Sequence, residues 1–184
     1  MERTEPATRD KARTRRAIID AAATMIAARG SGVSLADIAK EAGVSKGALT
    51  HHFASKNELE DALLADIAER LRAEVHAHVD PSENRPGMLL RGYIRAMTSD
   101  SAVVRDLYSP TAYLLMLGMD QPIGALLERD AAEWRAEFAA DGIDEATSLV
   151  LRLAAEGLAA SHETPYVTAG ERALARARLL ELAG

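Results

Sequence analysis

No cysteine occurs anywhere in the chain. This excludes disulfides, thiolate metal sites and cysteine nucleophiles, and leaves nothing to argue for an oxidising compartment. Aromatic residues are also scarce, at 4%, whereas apolar residues overall reach 48% and are mostly Ala and Leu. Strand formers are therefore rare and helix formers abundant, and an all-α fold is expected. No apolar run approaches the roughly 18 residues of a membrane-spanning helix. The stretch Met1 to Arg16 is polar and basic, without the apolar core of a signal peptide. The expectation is a cytoplasmic protein with no membrane partner.

Recognisable catalytic patterns are missing as well. There is no Gly-rich phosphate loop, nucleophile elbow or zinc spacing. The histidine clusters are His51-His52 and His76-x-His78. Adjacent helical residues point about 100° apart, and residues two apart about 200°, so neither pair chelates well. Glu74 and His78 sit one turn apart, but a solvated helix face is the favoured reading. An enzyme, a metal site and a cofactor are all disfavoured.

Charge is unevenly distributed. The chain carries −6 overall, but residues 1–56 hold ten Lys/Arg against six Asp/Glu, a local net of +4, and the remainder carries −10. Phosphate affinity depends on the local patch rather than the whole-chain balance. The 184 residues suffice for a small domain fused to a larger one.

Apolar periodicity predicts about nine or ten helices and no strands. After seven or eight disordered residues, a helix is expected from Lys11 to Ala28, stopped at Arg29-Gly30-Ser31-Gly32. Ser34 is placed to cap a short helix, with Asp37 completing a near capping box. Ser45 caps a second short helix ending near Phe53, and Ser55 a long one from Lys56 to His78. Further helices are expected over Arg85–Ser99, Val103–Tyr108, Pro110–Leu117, Pro122–Ala140, Glu145–Ser161, and a last one ending at Leu182.

The informative run is Ser34 to Lys56, SLADIAKEAGVSKGALTHHFASK. Two short helices crossing at a tight turn need a small residue at the crossing. They also need a glycine for positive φ and an apolar plug behind it. Ala39, Gly43 and Val44 supply these, and Leu35, Ile38, Leu49 and Phe53 a shared core. The second helix begins with small and polar residues, Ser45, Lys46, Gly47 and Ala48, as suits a helix end entering a major groove.

Asp37-Ile38-Ala39, Ala42-Gly43-Val44-Ser45-Lys46-Gly47, His52-Phe53 and Ser55-Lys56-Asn57-Glu58-Leu59 together resemble the TetR/AcrR family of bacterial regulators, over about Arg13 to Ile67. The resemblance implies a DNA-binding helix-turn-helix domain at 1–56 and a helical ligand-binding and dimerisation domain at 57–184. It implies that Ser34 caps near a phosphate, that Ser45 belongs to the DNA-binding set, and that Lys46, Gly47 and Ala48 meet base edges, with Lys46 best placed for a guanine. Thr50, His51 and His52 would lie along the backbone, and Lys56 would grip a phosphate. The chain departs from the pattern at Thr50, where the family usually has Tyr, and at Ala36, where it often has a longer polar residue.

In the C-terminal part, Met88, Tyr93, Met97, Tyr108, Tyr113, Met116 and Met119 read either as core or as a plastic apolar ligand pocket with hydroxyl handles. The resemblance favours the pocket. A neutral apolar effector is one expectation, and an acid read by Arg91, Arg95 and Arg105 is the other. A dimer face is expected on two helices: Leu127, Ala131, Trp134 and Phe138 on one, and Ala146, Leu149, Val150, Leu153, Ala154, Gly157 and Leu158 on the next. The expected function is a homodimeric regulator that binds palindromic double-stranded DNA and represses in response to a small-molecule effector. An activator or a ligand-independent regulator is the alternative.

Overall fold

The computed structural model describes residues 5–30, 32–109, 124–162 and 164–184. Among them lie nine α-helices and no strand. They are α1 (Glu5–Arg29), α2 (Leu35–Glu41), α3 (Lys46–His52), α4 (Lys56–Ala77), α5 (Met88–Met97), α6 (Ala102–Leu107), α7 (Gly124–Ala140), α8 (Glu145–Ala160) and α9 (Ala169–Leu182). The all-helical expectation holds. Helix α1 starts earlier than expected, so residues 5–8, read from sequence as disordered, are helical. Pro6 in the first turn is no obstacle, since its missing N–H would be unbonded there anyway. The helix expected at Pro110–Leu117 lies outside the described residues. The chain divides into two compact units, with one boundary after Asp66 within α4 and residues 124–126 of α7 grouped with the first unit.

In the first unit, α1, α2 and α3 enclose a small apolar core. Ile18, Ile19, Ala22, Ile26, Ile38, Leu49, Phe53, Leu59 and Leu63 are each almost fully buried. The local signals behave as the sequence suggests. Gly30 takes φ +74° and ends α1, its N–H donating to the Ile26 carbonyl at 2.8 Å. Ser34 and Asp37 form a full capping box on α2. Ser55 Oγ accepts from the Glu58 N–H at 3.1 Å, and Glu58 reaches back to the Ala54 N–H at 2.7 Å, which closes the start of α4.

In the second unit, α5 is the hub. Eight of its ten residues are buried, and it packs chiefly against α8. The close approach is at Gly92, where a Cβ would lie 2.6 Å from Val79 Cγ2 and 3.1 Å from Val79 Cα. The start of α5 is later than the expected Arg85 because Pro81–Glu83 forms a 3-10 turn and Gly87 takes φ +84°. The exposed N–H groups of its first turn are met from the α7–α8 turn: Asp141 accepts from Leu89 at 2.8 Å and from Leu90 at 2.9 Å. Ring contacts unite Tyr93, Trp134 and Phe138, with centroids 5.4 to 5.8 Å apart. The guanidinium of Arg72 covers Trp134 at 4.2 Å, and that of Arg152 covers Phe138 at 4.4 Å.

The largest of the fully buried side chains is an arginine. Arg91 is only 2% exposed. It pairs with Glu83 and donates to the carbonyls of Pro86 at 2.9 Å, Ala183 at 2.8 Å and Gly184 at 3.1 Å. It thereby ties the end of α9 to the start of α5. Burial pushes the Glu83 carboxyl up, but hydrogen bonds from Arg95 and Arg91 outweigh it and hold Glu83 below the usual carboxylate range. Removing one partner of such a pair strands the other, which typically costs about 3–5 kcal/mol. Arg91→Ala is therefore expected to lower the urea midpoint by a corresponding amount with an unchanged slope. An unfolding free energy within about 1 kcal/mol of the parent would show the network to be ornamental.

Candidate DNA-binding surface

The turn between α2 and α3 sets the geometry. Gly43 adopts φ +67°, a region that L side chains rarely occupy. Its N–H donates to Lys40 O at 3.2 Å, and the following Val44 N–H donates to Ala39 O at 2.9 Å. Ile38 and Ala39 on α2 and Leu49 on α3 are buried across this corner, which fixes which side of α3 faces outward.

The outward side carries the residues expected from sequence. Ser45, Lys46, Gly47, Thr50 and His51 are exposed, and Ala48 and His52 half-buried. Ser45 Oγ accepts from the Ala48 N–H at 3.0 Å, so the hydroxyl serves α3 itself. Ser34 Oγ is likewise engaged with Asp37, at 2.6 Å to the carboxylate and 3.2 Å from the amide. Thr50 Oγ1 turns back onto the carbonyls of Lys46 and Gly47 at 3.1 and 3.0 Å. These three hydroxyls shape the helices, while Lys46 and His51 project from them. Lys56, at the start of α4, sits 3.5 Å from Glu60, a carboxylate only 2% exposed.

Charge converges on α3 from α1. Arg15 lies over the Phe53 ring at 5.1 Å. Burial, together with the positive fields of His51, Lys11 and Arg15, holds His52 below its ordinary value. From sequence, Lys11 and Arg15 are two of the ten cations of residues 1–56, on the expected helix Lys11–Ala28, with no place given beside α3. Their spacing on α1 against buried Ile18, Ile19 and Ala22 was the signal that places them beside the end of α3.

The residues expected to form a ligand pocket are dispersed in burial. Tyr93 and Met97 are core, at 6% and 1% exposure, with the Tyr93 hydroxyl donating to Glu156 at 2.7 Å. Met88 and Tyr108 are half-buried, and Tyr113, Met116 and Met119 lie outside the described residues. Arg91 and Arg95, expected as possible readers of an acid, both pair with Glu83. Arg105 is exposed.

The expected dimer face splits in two. Trp134 and Phe138 are buried in the chain's own core, stacked on each other and meeting the Tyr93 ring edge to face. The α8 set lies on the surface instead: Ala146, Leu149, Val150, Leu153 and Gly157 are all exposed, as is Leu127 on α7. The opposite face of α8, Ser148, Leu151, Ala155 and Ala159, is buried. Leu174 on α9 is 74% exposed and was not foreseen, because its direct neighbours are alanines and arginines stand two residues away on either side. Among the described residues no group of His, Asp and Glu is arranged to hold a metal ion. No helix there is long and apolar enough to cross a membrane.

Comparison with known proteins agrees with this architecture. Residues 18–63 match the family model described as bacterial regulatory proteins, tetR family, and residues 87–184 match a Tetracyclin repressor-like C-terminal domain. The HTH-type transcriptional regulator BetI of Cronobacter sakazakii is 31% identical over 156 residues, spanning 79% of this chain and 73% of that protein. The HTH-type transcriptional repressor KstR2 of Mycobacterium tuberculosis is 41% identical over 68 residues, 36% of this chain and 34% of that protein. A solved TetR-family structure from Streptomyces coelicolor A3 superposes with TM-score 0.66 at 29% identity, covering 92% of this chain and 97% of that one. The multidrug binding protein EbrR, solved with malachite green, gives TM-score 0.63 at 28% identity, covering 91% and 96%. The chain belongs to the TetR family of bacterial regulatory proteins and is a DNA-binding transcriptional regulator rather than an enzyme.

Proposed function

We propose that the chain acts as a homodimeric, ligand-responsive repressor in the cytoplasm, with residues 1–56 reading a palindromic operator and 57–184 providing dimerisation and effector binding. The observation that carries this reading is the second apolar face of α8. Leu149, Val150 and Leu153 are 46%, 63% and 57% exposed, respectively, on the side opposite the helix's buried face. A second copy of the same helix is the simplest cover for such a stripe, and a two-fold interface is self-complementary. The α9 residue Leu174 extends the exposed set in place of Trp134 and Phe138. Two copies of α3 then fit successive major grooves only at one separation, so an effector favouring another separation lowers affinity by its differential binding. EbrR, solved with imidazole and with malachite green, is a similar structure in which small molecules are bound.

The direct test is selection of bound DNA from random duplexes. A symmetric site whose affinity falls steeply with salt is expected, each phosphate contact adding about −0.9 to the slope of log K against log salt. No enriched sequence, or affinity flat with salt, contradicts the reading. On the selected site, Lys56→Ala is expected to weaken all sequences alike and reduce that slope by about one contact. Lys46→Ala is expected also to relax preference at one base position, a loss of about 1–3 kcal/mol of discrimination. Identical profiles for the two variants refute the division of roles.

The dimer has its own variant. A Cβ on Gly157 would meet nothing within 4 Å in the chain's own fold, so Gly157→Arg leaves the subunit intact. An unpaired charge in the proposed interface costs about 3–5 kcal/mol. The variant is expected to sediment as a monomer with native helical content and to lose palindrome binding. A dimer of normal affinity would place the interface elsewhere.

Binding is also expected to depend on pH through His52. Its folded value lies below the ordinary one, so the ring is neutral in the free protein at neutral pH. Nearby phosphates favour the protonated ring, and binding then takes up a proton. Affinity should therefore rise as pH falls from about 7.5 to 6, by up to about tenfold for a one-unit upward shift in the complex. His52→Gln should flatten this profile, and an unchanged slope in that variant rules out His52 as its source.

A further inference from the structure

A cleft of about 230 Å³ opens in the second unit where the end of α5, the end of α8 and the first two turns of α9 meet. Its composition is divided. Met97, Leu158 and Ala173 supply apolar wall, and Arg172, Arg176 and His162 supply donors. The arginines are one helical turn apart on α9. Arg172 Nη1 donates to the Val167 carbonyl at 2.8 Å, which fixes its guanidinium at the cleft edge and leaves its other N–H groups available. Arg176 makes no hydrogen bond or ion pair with any described residue. His162 lies 3.2 Å from Asp100, the acid on the rim, whose side chain is 92% exposed and so well screened by water.

Two like charges one turn apart destabilise a helix by a few tenths of a kcal/mol. An anion between them reverses that sign, and a pair of guanidinium forks suits a planar carboxylate. The apolar floor, with Met97 only 1% exposed, asks for more than an inorganic ion. At about 100° per residue, Leu158 points roughly 140° from Leu153, and Arg172 roughly 160° from Leu174. On α8 and α9 the cleft thus lies to the side of the exposed apolar stripe, with Leu158 about 80° from Val150. Its volume falls below the roughly 300–1,000 Å³ of drug-sized pockets, which favours a short tail.

We propose that this cleft binds a small organic anion, a carboxylate with a short apolar chain, with its head between Arg172 and Arg176 and its tail over Met97 and Leu158. None of the residues expected from sequence to read an acid takes part, and the binding step does not depend on the reading of the protein as a ligand-responsive repressor. The test is calorimetric titration of the full-length protein with hexanoate, hexanol and inorganic phosphate in parallel. Saturable hexanoate binding at one per chain is expected, with hexanol and phosphate each at least about tenfold weaker. Arg176→Gln, at an exposed position, should weaken hexanoate by about tenfold or more at unchanged melting temperature. Ala173→Trp should block the cleft and abolish binding with both arginines still present. The proposal is overturned by absence of hexanoate binding up to about 10 mM. It is also overturned by hexanol or phosphate binding as tightly as hexanoate, or by hexanoate binding that survives either variant.

Discussion

Helix α8 is apolar on two opposite faces, and its own subunit covers only one of them. Leu151, Ala155 and Ala159 seal the core against α5, while Leu149, Val150 and Leu153 stay exposed to water. Scattered surface leucines are ordinary, but a contiguous stripe along one helix marks a surface made to be covered. If a second copy covers it, two recognition helices are held at a set distance, and the operator must repeat at that distance. Palindromic recognition and its release by a ligand then both follow from one packing constraint.

At the other end of the chain the constraint is the corner at Gly43. Positive φ there turns the chain tightly enough for Ile38, Ala39 and Leu49 to share one core, and the outward side of α3 is left to Lys46, Gly47 and His51. Capping boxes and serine caps do the local work of starting each short helix, which would be marginal alone. Their hydroxyls are engaged in the fold, although Ser45 Oγ, which only accepts there, keeps its own O–H to donate. In the proposed complex the cationic side chains around them, together with Lys11 and Arg15 from α1, would carry the attraction to phosphate.

Helix existence and the helix-turn-helix were legible in the sequence because their determinants are local. Ser34 with Asp37, Gly43, Ser45 and the four-residue repeat of α4 each act within a turn of themselves. Part of what stayed hidden depends on distant partners. Trp134 and Phe138 have the same spacing whether they face a second subunit or Tyr93, and only the packing of α5 distinguishes the two. Arg91 looks like an available cation until Glu83, eight residues before it, and the Ala183 carbonyl, 92 residues after it, are brought to its guanidinium. Thr50 reads as a hydroxyl for DNA, but a short β-branched side chain in a helix readily bonds its own preceding carbonyls. Leu174, alone among arginines, gave no periodic signal at all.

The central claim is that two chains, joined through α8, read one symmetric site. It is tested most directly by the mass of the complex formed on a selected duplex, measured by sedimentation equilibrium against a duplex carrying a single half-site. The account predicts two chains of 19.7 kDa on the full site and a large loss of affinity on the half-site. One chain per duplex, bound equally well to either DNA, would contradict it.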